Sequence, residues 1–415
     1  MERLSVIVVG AGVVGLAVAL HLRQSGADVT VVDRDPEGDK ASFGNVGGIA
    51  VTEVVPASVP GLAWRVPRWM IDPLGPLAVR PLHAPKLLPW LLRFSKSGTP
   101  KEVARISASL SALNGRVYED LLPMLACVGL SGELNTQGAL TVYESEAGFR
   151  RDDSEWAIKR SHGVNVEFIT GSAARDMEPA LGPLVRRAVF TPQWSHINDP
   201  KRLVDALRRE LQEQGAKVVV GVASRVLARD GTGASLELGD SARLNADRIV
   251  VAAGAWSGEI AKRLGDPVLI ESERGYNTTL PNPGVHLSRE VIFAEKKFVA
   301  TPLSCGLRIG GAAEFGGLNA VPNYRRSHAL ATLASRYLPG LKMAGGAVWA
   351  GHRPATPDSL PVIGPSSTHP AVFYAFGHGH LGLTLAATTG RLIADLIYQR
   401  APPIDVTPYS IARFR

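Results

Sequence analysis

A glycine turn set between two short apolar runs constrains this chain more than any other feature. Residues 6–9 are Val-Ile-Val-Val, and Gly10-Ala11-Gly12-Val13-Val14-Gly15 follow at once. Residues 16–22 then read as helix, and residues 29–32 form a second strand-like run that ends on Asp33. Strand, glycine turn, helix, strand and acid in that order make the dinucleotide-binding fingerprint in its required context. Gly10 allows the tight turn, Gly12 lets the backbone approach a pyrophosphate, and Gly15 lets the helix pack close to the strand. The helix N-terminus supplies N–H groups and a positive dipole end to the phosphates. Asp33 stands eighteen residues after Gly15, where a carboxylate accepts hydrogen bonds from ribose hydroxyls. Gly10, Ala11, Gly12, Val13, Val14, Gly15 and Asp33 are therefore cofactor-binding candidates.

At 415 residues the chain is too long for one simple core, so two domains are expected. Lys plus Arg number 45 against 38 Asp plus Glu. No dense basic block accompanies this modest excess, so nucleic acid is not an expected partner. Cys127 and Cys305 lie far apart and form neither a disulfide framework nor a zinc spacing. Both read as buried small apolar residues, no metal site is expected, and a cytoplasmic location is compatible. Residues 6–22 hold glycines in phosphate-loop register and do not read as a signal peptide or membrane span.

Residues 36–50 are small and glycine-rich, which lets backbone come close to a large planar ligand. Residues 56–100 alternate prolines with Trp64, Trp69 and Trp90, leucine pairs, and Arg65, Arg68, Arg80, Lys86, Arg93 and Lys96. The prolines forbid one long helix, so short helices joined by turns are expected. The segment reads as a lid or insertion packed on the same chain, with peripheral membrane contact as the alternative. Residues 103–125 look helical, and 139–142 and 188–190 look like strands. Asp199 caps a helix opened by Pro200. Residues 218–220 read as a buried strand, 225–227 and 235–238 as an antiparallel meander, and 248–252 as another buried strand. Strand 372–376, a glycine turn and helix 381–398 close the chain. The cofactor domain is thus assembled from 1–54, 195–266 and 341–415. Residues 55–194, with 55–100 as a proline-rich insertion, and 267–340 build the second domain.

Four signatures together resemble the D-amino-acid oxidase superfamily of FAD-dependent oxidoreductases, most closely its bacterial D-amino-acid dehydrogenase branch. They are the 10–15 turn with Asp33; Ser42-Phe43-Gly44-Asn45-Val46-Gly47-Gly48; Val251-Ala252-Ala253-Gly254-Ala255-Trp256; and Gly351-His352-Arg353-Pro354 with Pro357-Asp358 and Pro361-Val362-Ile363-Gly364. The resemblance spans nearly the whole chain. It implies an α/β, two-domain (α+β) architecture. A Rossmann-type FAD-binding domain of discontinuous segments would join a substrate domain with a mainly antiparallel sheet and a helical insertion. It also implies FAD, held without a covalent bond, because segment 354–364 has no cysteine. Further cofactor-binding residues follow from it: Arg34, Ser42, Asn45, Gly47, Gly48, Val226, Ala253, Gly254, Trp256 and Gly351. Gly377, His378, Gly379, His380, Leu381, Gly382, Leu383 and Thr384 complete the set at a helix start, whose positive end would face the flavin pyrimidine.

The resemblance assigns Arg353 to the substrate carboxylate, which a planar guanidinium clasps with two parallel hydrogen bonds. Tyr276 is a candidate substrate-side hydroxyl, and His378 and His380 are candidate donors near the flavin. His352 is expected on the opposite face from Arg353. Thr52 and Glu53 are candidates to border the pocket. The implied reaction is FAD-dependent oxidation of a D-amino acid, with hydride passing from Cα to flavin N5. The imino acid formed is hydrolysed to a 2-oxo acid and ammonia, and no general base is nominated. Alternatives are a cyclic or secondary amine (D-proline, hydroxy-D-proline, sarcosine or glycine), a 2-hydroxy acid, or a flavin-carrying electron-transfer subunit of a larger complex. Quinone, the respiratory chain or oxygen are the candidate electron acceptors. Peripheral contact through 56–100 would lie on the inner face of the membrane.

Overall fold

A computed structural model describes residues 3–60, 75–228, 233–239 and 242–415. Trp64, Arg65, Arg68 and Trp69 lie outside the described residues. A six-stranded sheet runs in the order Lys217–Val220, Asp28–Asp33, Ser5–Val9, Arg248–Val251, Val372–Phe376, Val362–Pro365. The first five strands are parallel and the last is antiparallel. After Ser5 and Arg248 the two central strands are apolar throughout (Val6–Val9 and Ile249–Val251) because both faces are covered. Val6 and Val8 turn toward the helices Val13–Gln24 and Gly382–Ile397, whereas Ile7 and Val9 turn toward the strands Ala223–Ala228 and Ala234–Leu238. The alternation is the two-residue period of a pleated strand.

A second, mainly antiparallel sheet carries the other half of the molecule. Its order is Ala347–Ala355, Glu271–Leu280, Gly306–Phe315, Phe298–Leu303, Glu290–Phe293, Ala139–Tyr143, Arg187–Thr191, Glu167–Thr170, with Leu77–Val79 beside Gly306–Phe315. Helix Arg325–Ala334 packs its buried residues into the core of this sheet. Short strands Gly48–Ile49, Ser195–Ile197 and Leu134–Asn135 form a small separate sheet.

Several expectations are corrected. Strand Ala347–Ala355, placed by sequence in the cofactor domain, pairs along its length with Glu271–Leu280 in the antiparallel sheet. Strand Lys217–Val220 is an edge, and Val220 is 70% exposed rather than buried. The single helix expected over 103–125 is two, Pro100–Asn114 and Val117–Cys127, which meet at Gly115 and Arg116. Helix Ala84–Ser97 runs through Pro89, which has no N–H to donate to the Pro85 carbonyl. Cys305 is exposed. The Asp199 cap is present, its carboxylate accepting the Arg202 N–H at 3.0 Å.

The two helices over the parallel sheet meet at Gly390. A Cβ there would lie 2.6 Å from His21 Cδ2 and 2.7 Å from the Ala17 carbonyl oxygen. Helix propensity favours alanine over glycine by about 1 kcal/mol, but overpacking a fixed backbone costs about 1–3 kcal/mol. Gly390→Ala is therefore expected to lower the thermal midpoint. A raised midpoint on thermal denaturation would mean that propensity, not close approach, decides this position.

Candidate active site

The glycine turn is built as its spacing requires. Gly10 adopts φ +113°, and a Cβ there would lie 2.4 Å from the Ala252 carbonyl oxygen. A Cβ on Gly15 would lie 2.0 Å from the Gly10 carbonyl oxygen. Asp33 is held beside the turn: its carboxylate accepts the Ala11 N–H at 2.7 Å, the Asp35 N–H at 2.9 Å and the Lys40 ammonium at 3.2 Å. Ser42 Oγ accepts the Val13 N–H at 3.1 Å, so the 42–48 loop reaches the helix start. Elsewhere the lining is open. A Cβ on Gly12 would meet only Ser42 Oγ, at 3.6 Å, and one on Gly254 or Gly379 would meet nothing within 4 Å. Open glycine turns on three distant segments fit a long dinucleotide. Arg34 lies over the Trp256 ring at 4.0 Å, and Trp256 meets His352 edge-on at 5.2 Å. Val226 buries its side chain in the core, which leaves its backbone as the part able to meet a ligand.

The 42–48 loop is clamped onto the antiparallel sheet. Asn277 Nδ2 donates to the Gly44 carbonyl at 2.7 Å. Arg308 Nη1 donates to the Phe43 and Asn45 carbonyls at 3.1 and 2.7 Å. The Asn45 carboxamide folds back to accept the Gly47 N–H at 2.7 Å, so it braces the loop. The Trp349 indole passes between Gly44 and Gly351, where a Cβ on either would lie 2.1 or 2.0 Å from the ring. Its Nε1 donates to the Asp39 carboxylate.

The last helix locks to the same loop. Thr384 Oγ1 accepts the Ala50 N–H at 3.0 Å, while Leu381 and Leu383 are buried. Gly377 takes φ +81° to turn the chain into Gly379–Leu381 and then helix Gly382–Ile397. His378 does not face this site. Its imidazole is buried, pairs with Thr389 Oγ1 at 2.9 Å, and is pushed down by burial to about 3, which keeps it neutral.

Arg353 and His380 are brought together by a residue that sequence reasoning missed. Glu273 pairs directly with Arg353 across neighbouring strands, so both side chains share one face. Its Oε1 accepts from Arg353 Nη1 at 2.8 Å and from His380 Nε2 at 2.9 Å. Burial alone would raise this carboxyl, but His380 and Arg353 outweigh it and hold it at about 2. Gly275 makes room for the guanidinium: a Cβ there would lie 2.4 Å from Arg353 Cζ. Asp358 pairs instead with Arg413, at 2.8 Å. Tyr276 is not part of this group. It has the opposite strand parity from Glu273, and its hydroxyl donates to Glu314 and accepts the Asn323 N–H at 3.1 Å. His352 likewise points away from Arg353, with Nδ1 2.6 Å from Ser272 Oγ. Glu53 is engaged by Lys159 at 2.7 Å.

A second missed carboxyl sits behind the loop. Glu290 is 2% exposed, and its Oε2 would lie 2.9 Å from a Cβ on Gly48. Trp194 Nε1 and Thr301 Oγ1 face it without completing hydrogen bonds. Burial pushes the Glu290 carboxyl up to about 8. The native state therefore holds a proton that an unfolded chain releases near 4.5. Stability is expected to fall as pH rises through that interval and to level off above about pH 8. Glu290→Gln should lack the fall. Its advantage over wild type in urea denaturation should grow between about pH 5 and 8; a constant difference would show that Glu290 does not hold the proton.

The DAO family, described as FAD dependent oxidoreductase, matches residues 5–396. The chain is 33% identical over 422 residues to a D-amino-acid oxidase of Bradyrhizobium diazoefficiens, covering 100% of this chain and 99% of that protein. It is 28% identical to a D-amino acid dehydrogenase of the same organism, covering 99% of each. The fold is similar to that of glycine oxidase from Geobacillus kaustophilus, with TM-score 0.74, 22% identity, and 100% and 99% of the two chains covered. With its glycine cradle and its sheet-borne arginine, the chain belongs to the DAO family of FAD-dependent oxidoreductases.

Proposed function

We propose that this protein oxidises a D-amino acid to an imino acid, which water then hydrolyses to a 2-oxo acid and ammonia. The observation that carries the reading is the Arg353 guanidinium, seated over Gly275 and joined through Glu273 to His380 at the start of the last helix. The names of the full-length relatives support it. Gly10–Gly15, Asp33, Arg34, Ser42, Trp256 and the turn at 377–384 are the residues that would hold FAD. FAD supplies, when bound, the acceptor for the hydride that leaves the substrate Cα. Arg353 binds the substrate carboxylate and so fixes the direction in which Cα–H points. The N-terminal N–H groups of helix Gly382–Ile397 present positive potential toward the same space, where negative charge is best accommodated. Anaerobic bleaching of the flavin by matched D- and L-amino acids tests the reading. D-isomers alone should bleach it, and a flavin that no amine reduces rejects it. Arg353→Ala should keep its flavin and lose reduction by substrate, with affinity reduced by about 10- to 100-fold; unchanged affinity would remove Arg353 from the site.

The electron acceptor proposed is a quinone or respiratory component at a membrane surface. Helix Ala84–Ser97 buries Leu87 and Trp90 against the protein but exposes Leu88, Leu91 and Leu92. Leu82, just before it, is 95% exposed, and Lys86 and Lys96 flank the leucines. Apolar residues with a basic flank suit contact with an anionic lipid surface. No described helix is long and apolar enough to cross a membrane. Replacing Leu88 and Leu92 by Ser should reduce co-sedimentation with anionic vesicles while leaving flavin reduction intact. Equal sedimentation of variant and wild type, with rapid peroxide formation in air, would favour oxygen as the acceptor.

A further inference from the structure

The Arg353 guanidinium is only half engaged. Nη1 donates to Glu273 Oε1 at 2.8 Å and to the Ala312 carbonyl at 3.2 Å, while Nη2 and Nε donate to no described residue. Glu273 is half engaged in the same way. Oε1 accepts from both Arg353 and His380, and Oε2 has no partner among the described residues. The two side chains are 24% and 13% exposed, so the free edge and the free oxygen lie in a partly desolvated space. An ionised carboxylate with an unused oxygen there is an acceptor in search of a donor.

We propose that Glu273 Oε2 anchors the substrate's ammonium nitrogen, so that Arg353 and Glu273 together read the zwitterion of an amino acid. The inference rests on the reading that Arg353 holds the substrate carboxylate. In an amino acid one carbon separates the carboxylate from the nitrogen. The groups that bind them must therefore be neighbours, as Arg353 and Glu273 are through their direct pairing across two strands. The arrangement also sets the substrate class. A 2-hydroxy acid brings no positive charge to Glu273, and a second carboxylate near Cα would meet a fixed negative charge. Glu273 remains ionised with Arg353 and His380 against it, which makes it a binding group and not a proton acceptor; the bound ammonium gives one proton to solvent water before the hydride leaves Cα, so that the nitrogen lone pair is free to form the imine.

Matched pairs of ligands test this on the FAD-loaded protein: D-alanine with propanoate, and D-phenylalanine with 3-phenylpropanoate. Amino-acid affinity is read from anaerobic flavin reduction, and carboxylate affinity from perturbation of the oxidised flavin spectrum and from calorimetry. Glu273→Gln keeps the shape and an acceptor for Arg353 but removes the charge. It is expected to weaken the amino acids by about 10- to 100-fold and to leave the two carboxylates unchanged. Glu273→Asp, which keeps the charge, should retain the preference for amino acid over carboxylate. Equal weakening of both ligand types in Glu273→Gln would show that Glu273 only positions Arg353, and no weakening of either would show that it does neither; each overturns the anchor alone. A wild-type flavin that no D-amino acid reduces overturns the functional reading and the anchor with it.

Discussion

The seam between the 42–50 loop and the antiparallel sheet is the contact on which the site depends. Three side chains from the sheet hold the loop by its backbone and ring faces: Asn277 on Gly44, Arg308 on Phe43 and Asn45, and Trp349 between Gly44 and Gly351. From the other side, Thr384 ties Ala50 to the last helix, and Ser42 ties the loop to the first. Loop carbonyls that would otherwise be buried without partners are thereby satisfied. The antiparallel sheet and two helix starts are thus joined through this short segment.

Two carboxyls, one half-buried and one buried, show how environment sets charge. Glu273 faces a guanidinium and an imidazole, so its charge is compensated and it stays ionised. Glu290 faces an indole and a hydroxyl, which cannot compensate a charge, so it stays neutral to about pH 8. The same residue type is thus charged at one site and neutral at the other. The ionised one stands beside Arg353. It engages Arg353 through Nη1, which leaves the guanidinium's other edge without a partner among the described residues.

The geometry of the glycine turn was legible because it is local. Gly10, Gly12, Gly15 and Asp33 lie within one strand–helix–strand unit, and their roles follow from spacing along that unit. The Asp199 cap and the helix at 382–397 were legible for the same reason. Residues whose roles depend on strand pairing were not. Tyr276 and Glu273 are three positions apart on one strand, and only the register decides which shares a face with Arg353. His378 and His380 flank one glycine, yet one imidazole turns into the core and the other out to Glu273. Residues 341–415 were read as one block of the cofactor domain, whereas strand Ala347–Ala355 pairs with Glu271–Leu280, because its sequence carries no mark of its partner.

By itself the sequence determined the glycine turn, the central buried parallel strands and the candidacy of Arg353. These rest on glycine sterics, continuous apolar runs and the planar chemistry of guanidinium, all properties of short stretches of chain. The tertiary structure decided what Arg353 meets. Glu273 lies eighty residues earlier in the chain and His380 twenty-seven later. Pairing of two strands and the turn before the last helix bring the three within hydrogen-bonding distance. Charge interactions fall off with distance in space and are indifferent to distance in sequence, so their effect at this site exists only once the chain is folded.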